Sequence, residues 1–100
     1  MVKNWKSANI DFGVLKPHSK ICLTFECKDS LEDVVNITTS CGCSQSYVSA
    51  NNVIVSYKSG GIPLHLTQAG VIQYKVRKKL NVFYQNGVYD TLQFYGMIRK

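Results

Sequence analysis

The feature that most constrains this chain is the long alternating stretch from Val71 to Ile98, interrupted once by "QNG". Ile72, Tyr74, Val76, Leu80, Val82 and Tyr84 fall on one face of an extended strand, and Gln73, Lys75, Arg77, Lys79 and Asn81 on the other. Asn86-Gly87 is the usual signature of a two-residue type I′ hairpin. That register would pair Tyr84 with Tyr89 and turn Leu92 and Phe94 onto the polar face. A three-residue loop, Gln85-Asn86-Gly87, instead pairs Tyr84 with Val88 and keeps Val88, Leu92, Phe94 and Ile98 with the apolar set. One residue of slip flips every side chain, so the pattern predicts the longer loop, with Gly87 at positive φ. Lys78 breaks the apolar face, and a bulge or an early strand end near Arg77–Lys79 is expected to release it.

Other strand-like runs, bounded by Gly, Asn, Asp and Ser, are Asn9–Val14, Lys20–Lys28, Val34–Thr39 and Val53–Lys58. In the second of these, Ile21, Leu23, Phe25 and Cys27 share one face, while Cys22, Thr24, Glu26 and Lys28 share the other. Cys27 is therefore assigned to the core and Cys22 to the outer surface. The segment "SGGIPLHLTQAG" reads as a loop punctuated by Gly and Pro. No helical stripe and no internal repeat is present. Six or seven short strands in 100 residues predict an all-β fold, an antiparallel sandwich. Residues 1–8 read as an N-terminal arm, and residues 9–100 as a single domain.

Twelve Lys and Arg against six Asp and Glu give a net charge of +6. Such a balance suits a nucleic-acid binder or a protein that docks on an acidic partner. The only dense run is "KVRKK". In a strand, Lys75, Arg77 and Lys79 project to one side about 6–7 Å apart, near the phosphate spacing of one DNA strand. The aromatics on which single-stranded binders stack bases are missing from that face, save Phe83, so a docking or solvated face is the stronger reading. The N-terminal stretch has no apolar signal region, and no apolar run approaches the roughly 20 residues that cross a bilayer. The expected setting is a reducing compartment, without membrane insertion.

The chemistry-bearing candidate is "SCGCS", around Cys41, Gly42 and Cys43. A zinc site needs four converging ligands, usually in C-x₂₋₄-C knuckles, and this spacing is tighter. A Cys41–Cys43 disulfide would close a strained ring. Redox exchange wants C-x-x-C at a helix N-terminus. His18 and His65 are isolated in sequence, and no nucleophile motif accompanies either of them. The expectation is that Cys41 and Cys43 are reduced, unmetallated and structural, with Gly42 permitting the bend between them. No catalysis, cofactor, metal or small-molecule substrate is expected.

Ile10-Asp11-Phe12-Gly13, then Leu23-Thr24-Phe25, then Ser40-Cys41-Gly42-Cys43-Ser44 resemble the opening half of the DUF1573 family of Ig-like domains, relatives of the ASH and MSP-type sandwiches. The second half agrees only in strand pattern and in Gly70 before a long strand. The expectation is of a free-standing chain without a secretion signal, which departs from the family, as does the short segment that follows the cysteine motif. The resemblance implies a seven-stranded Ig-like sandwich acting as a binding or scaffold module. By analogy, a small signal-less member suggests a phage virion component, such as capsid decoration, a neck part or a tail part, contacting other virion proteins in many copies. In that setting Trp5 is either a contact anchor or a cap over the end of the sandwich. The alternatives are a cytoplasmic bacterial interaction module and a nucleic-acid binder using Lys75, Arg77 and Lys79.

Overall fold

The computed structural model describes residues 1–40 and 44–100. Seven strands form, in chain order β1 (Asn9–Leu15), β2 (Lys20–Glu26), β3 (Val34–Thr39), β4 (Ser44–Ser49), β5 (Asn52–Lys58), β6 (Gln73–Tyr84) and β7 (Tyr89–Arg99). One sheet has the order β1-β7-β6-β3 and the other β2-β5-β4. This is an all-β, Ig-like sandwich: two sheets with Greek-key connections, the last two strands at the centre of the larger one. One pair departs from the expected antiparallel scheme. β1 runs parallel to β7, with a register shift between Asp11 and Val14 where Gly13 takes φ +81°.

The β6–β7 ladder is unbroken from Gln73↔Arg99 to Phe83↔Tyr89, and the Tyr84 N–H donates to the Val88 carbonyl at 3.0 Å. The three-residue loop predicted from the apolar pattern is the one that forms, with Gly87 at φ +85°. No bulge releases Lys78. It stands opposite Phe94 in regular register and is half-buried. Among the described residues no edge strand covers the sandwich where Lys78 points inward, so the ladder has no need to break.

Two elements were not legible as such in the sequence. β4, "SQSYVS", places Ser44, Ser46 and Val48 opposite Tyr57, Val55 and Val53. Its inner face is thus largely serine, and no alternation marks it. The segment read as a loop carries one helical turn, α1 (Leu64–Gln68), whose residues are all outside the core. Strand ends also shift: β2 stops at Glu26, β6 starts at Gln73 and β7 at Tyr89.

The core is built from Leu23, Phe25, Val53, Val55 and Tyr57 of the smaller sheet against Leu80, Val82, Tyr84, Leu92, Phe94 and Ile98 of the larger, closed by Leu31. Each buried side chain of this kind contributes roughly 1.5–3 kcal/mol. Phe12 enters from the edge strand β1 and packs on Tyr57 and Phe94, with ring centroids 5.8 and 6.4 Å apart. Gly96 makes room for it: a Cβ there would lie 2.4 Å from the Phe12 ring and 2.7 Å from the Gly13 carbonyl. Cys27 is buried and Cys22 exposed, as the alternation in β2 requires.

Candidate functional site

The two ends of the sandwich are chemically unlike. β6, at 12 residues and about 3.3 Å per residue, spans roughly 40 Å, so it must lie along the 48 Å axis of a molecule only 21 and 19 Å across. At the end holding the β6–β7 turn sit Glu26, Asp29, Glu32, Asp33 and Asp90, five of the six carboxylates. Only Lys3, Lys6 and Lys28 accompany them, an excess of two negative charges. The other nine cationic side chains run from the middle of the molecule to its far end against Asp11 alone, an excess of eight positive charges.

The acidic end is closed by the N-terminal arm. Trp5 bridges to Cys27, the Lys6 N–H donates to the Glu26 carbonyl and the Lys28 N–H to the Asn4 carbonyl, so the arm pairs with the chain just beyond β2. Its anchor is Asp90, which is 1% exposed. The Asp90 carboxylate accepts from the Val2 N–H (2.6 Å), the Lys3 N–H (3.0 Å), the Trp5 indole N–H (2.9 Å) and the Tyr84 hydroxyl (2.7 Å). Burial pushes this carboxyl up, but the indole, the phenol and the two backbone donors outweigh it and hold the group below the usual aspartate range. Tyr84 is displaced in the opposite sense, raised by burial and by its bond to Asp90, and remains a donor at any ordinary pH. The Lys3 ammonium lies 2.9 Å from Asp33 and 4.9 Å from the centre of the Tyr84 ring. Every group in this cluster is consumed internally. Trp5 is half-buried, its indole N–H donates to Asp90, and its ring packs against the core at this end of the sandwich.

Among the described residues the basic end is open. β3 pairs with β6 only as far as Thr39↔Leu80, with one more contact from the Ser40 N–H to the Lys79 carbonyl at 3.0 Å. β4 pairs with β5 only from Ser44↔Tyr57 onward. Beyond those points both sheets lack an edge strand on the same side, among the described residues. The result is a cleft of about 730 Å³ lined by His18, Lys20, Lys58, Lys75, Arg77 and Lys78, with no carboxylate on its walls. Ser59, which is buried, fixes one wall: it donates to the Lys16 carbonyl and accepts from the Ser19 N–H, clipping the β1–β2 turn to the end of β5. On the outer face of β6 the Arg77 guanidinium sits 5.7 Å from the centre of the Tyr95 ring.

Of the residues singled out from the sequence, Lys75 and Arg77 border this cleft, and Lys79 lies just above it, where Ser40 meets β6. Trp5 belongs to the opposite end. Cys41, Gly42 and Cys43 lie outside the described residues. Sequence reasoning missed Lys20, Lys58 and His18, because only the β2–β5 register (Lys20↔Lys58) and the clipped turn bring them beside β6. Among the described residues no helix is long and apolar enough to cross a membrane. No family model, no curated protein and no solved structure matches the chain.

Proposed function

We propose that this chain is a non-enzymatic accessory protein that docks through its basic end on an acidic protein surface. The setting that fits best is a phage particle, as a capsid-decoration, neck or tail part. The observation that carries the docking reading is the segregation of charge along the long axis: an excess of eight positive charges at the open end and two negative at the capped one. A field of this shape orients a protein during encounter and selects partners by sign. The particle setting rests on the DUF1573-like motifs and on the suitability of a small rigid sandwich for repeated placement. Catalysis has little to work with here. Among the described residues the one buried carboxylate, Asp90, already holds four donors.

Mass spectrometry of purified virions tests the setting, and the expected result is the chain at stoichiometric copy number. Joint reversal of Lys75, Arg77 and Lys79 to Glu should abolish that association, and binding of the unaltered protein should weaken steeply between low and moderate salt. Absence from particles, with a pull-down that returns one stable host protein, would reassign the same face to a bacterial interaction module. Salt-dependent retention of an oligonucleotide but of no protein would sink the docking reading in favour of nucleic acid.

A further inference from the structure

Resting on that docking reading, we infer that the partner enters as an extended acidic segment that adds to the larger sheet as a new strand, along the β6 edge from Gln73 to Lys78. The direction of the β6 backbone groups follows from the ladder. Tyr84 donates to Val88, and the Lys100 N–H donates to the Ile72 carbonyl, so the even-numbered residues of β6 bond toward β7. The odd-numbered residues face the other way. Lys79 proves the point, since its carbonyl and its N–H both engage Ser40 on that side. The N–H and C=O groups of Lys75 and Arg77 therefore point out of the sheet edge, and no described strand reaches them. A row of outward donors and acceptors at strand spacing is a template for one more strand.

The side chains choose the occupant. A strand laid against Lys75 and Arg77 has their cationic side chains beside one of its faces, while Lys78 stands on the inner face with Lys58 and Lys20 on the walls of the same cleft. A second copy of this edge would bring lysine against arginine and is repelled, which is how exposed edges are commonly guarded. Glutamates or aspartates alternating along a partner strand satisfy the same positions, because cross-strand neighbours of opposite charge attract and like charges repel. Nucleic acid would satisfy the charge and leave the backbone donors and acceptors of Lys75 and Arg77 unmatched. Lys78 makes the inner position selective. It is half-buried between Val76 and Leu80 and ion-pairs with no described carboxylate, so an incoming acid on the inward side gains the pair.

A fluorescein-labelled deca-glutamate, which carries carboxylates on both faces of an added strand, is the direct probe. It should bind the intact protein at low salt, and amide exchange at Lys75 and Arg77, fast in the protein alone, should slow at least tenfold in the complex. The same peptide N-methylated at alternate residues keeps its charge but cannot form the ladder, and its affinity should fall at least tenfold. Binding with those amides unprotected, equal affinity of the N-methylated peptide, or no binding would overturn strand addition. So would preference for a single-stranded oligonucleotide of equal charge. Failure of the ladder alone leaves the docking reading standing; that reading falls only if the charge-reversed variant keeps its protein partner or the protein retains nucleic acid and no protein.

Discussion

The arm end and the open end of this sandwich solve the same problem in opposite ways. Both lie where strands run out and backbone groups are left over. At the arm end the chain supplies its own cover through the Trp5–Cys27 bridge, and a single carboxylate gathers four donors beside the tryptophan. At the open end nothing among the described residues fills the gap, and the walls carry cations without counter-charges. The comparison teaches where to look for stability and where for binding. A polar group that is buried and satisfied holds the fold, whereas charge of one sign beside an unpaired edge is the place to test for a partner of opposite charge. Substitutions at the two ends should therefore separate cleanly.

The largest loss is expected at Asp90. Asp90→Ala leaves two backbone N–H groups, the Trp5 indole and the Tyr84 hydroxyl without their acceptor, at a cost on the order of 3 kcal/mol or more. Urea denaturation should show the midpoint fall and the arm should become protease-sensitive, while peptide binding at the far end persists in whatever fraction stays folded. A smaller drop than in an exposed Asp11→Ala control would break the comparison.

The same carboxylate sets the acid limit. Its native pKa lies below the unfolded value of about 3.9, so the unfolded chain takes up the proton first. The stability it contributes is complete above that value and is lost as pH falls through the depressed native pKa. Thermal melts should fall steeply below about pH 4, and Asp90→Asn, already destabilised at neutrality, should show a shallower acid limb. Equal slopes in both proteins would move the acid sensitivity elsewhere.

Next in size is Gly96→Ala, expected to cost roughly 2–3 kcal/mol. The added methyl meets not only the Phe12 ring, which can rotate, but the Gly13 carbonyl at 2.7 Å, which cannot move without shifting β1. A double variant with Phe12→Leu should recover part of the loss but not all of it. Full recovery would mean that the ring alone is the obstacle.

How much of this was written in the sequence divides along the same line. The hairpin was legible because six apolar residues on one strand admit one register only, and Gly87 could supply the positive φ. The faces of β2 were legible for the same reason. β4 was not, because an edge strand whose inner residues are serine, serine and valine has no period to detect. The basic cleft was half legible: Lys75 and Arg77 are neighbours in sequence, but Lys20 and Lys58 join them only through strand register. The Asp90 cluster was invisible, since its donors come from residues 85 to 88 positions away and from Tyr84 across the turn. Trp5 illustrates the limit. An aromatic in an arm looks the same whether it faces a partner or its own domain until the acceptor for its N–H is found.

The smallest effect on stability belongs to the residue that most violates the sequence pattern. Lys78 is in an inner-face position between Val76 and Leu80, where the alternation asks for an apolar side chain. If it served the fold, its replacement would be costly. If it serves a partner, the fold should be indifferent. Lys78→Leu is therefore expected to change the unfolding free energy by less than about 0.5 kcal/mol, with any change upward, because no ion pair with a described residue is lost and apolar surface is gained. The same substitution should weaken the acidic peptide at least fivefold. A clear loss of stability with unchanged peptide affinity would make Lys78 a structural residue, and would return the open end to the same category as the closed one.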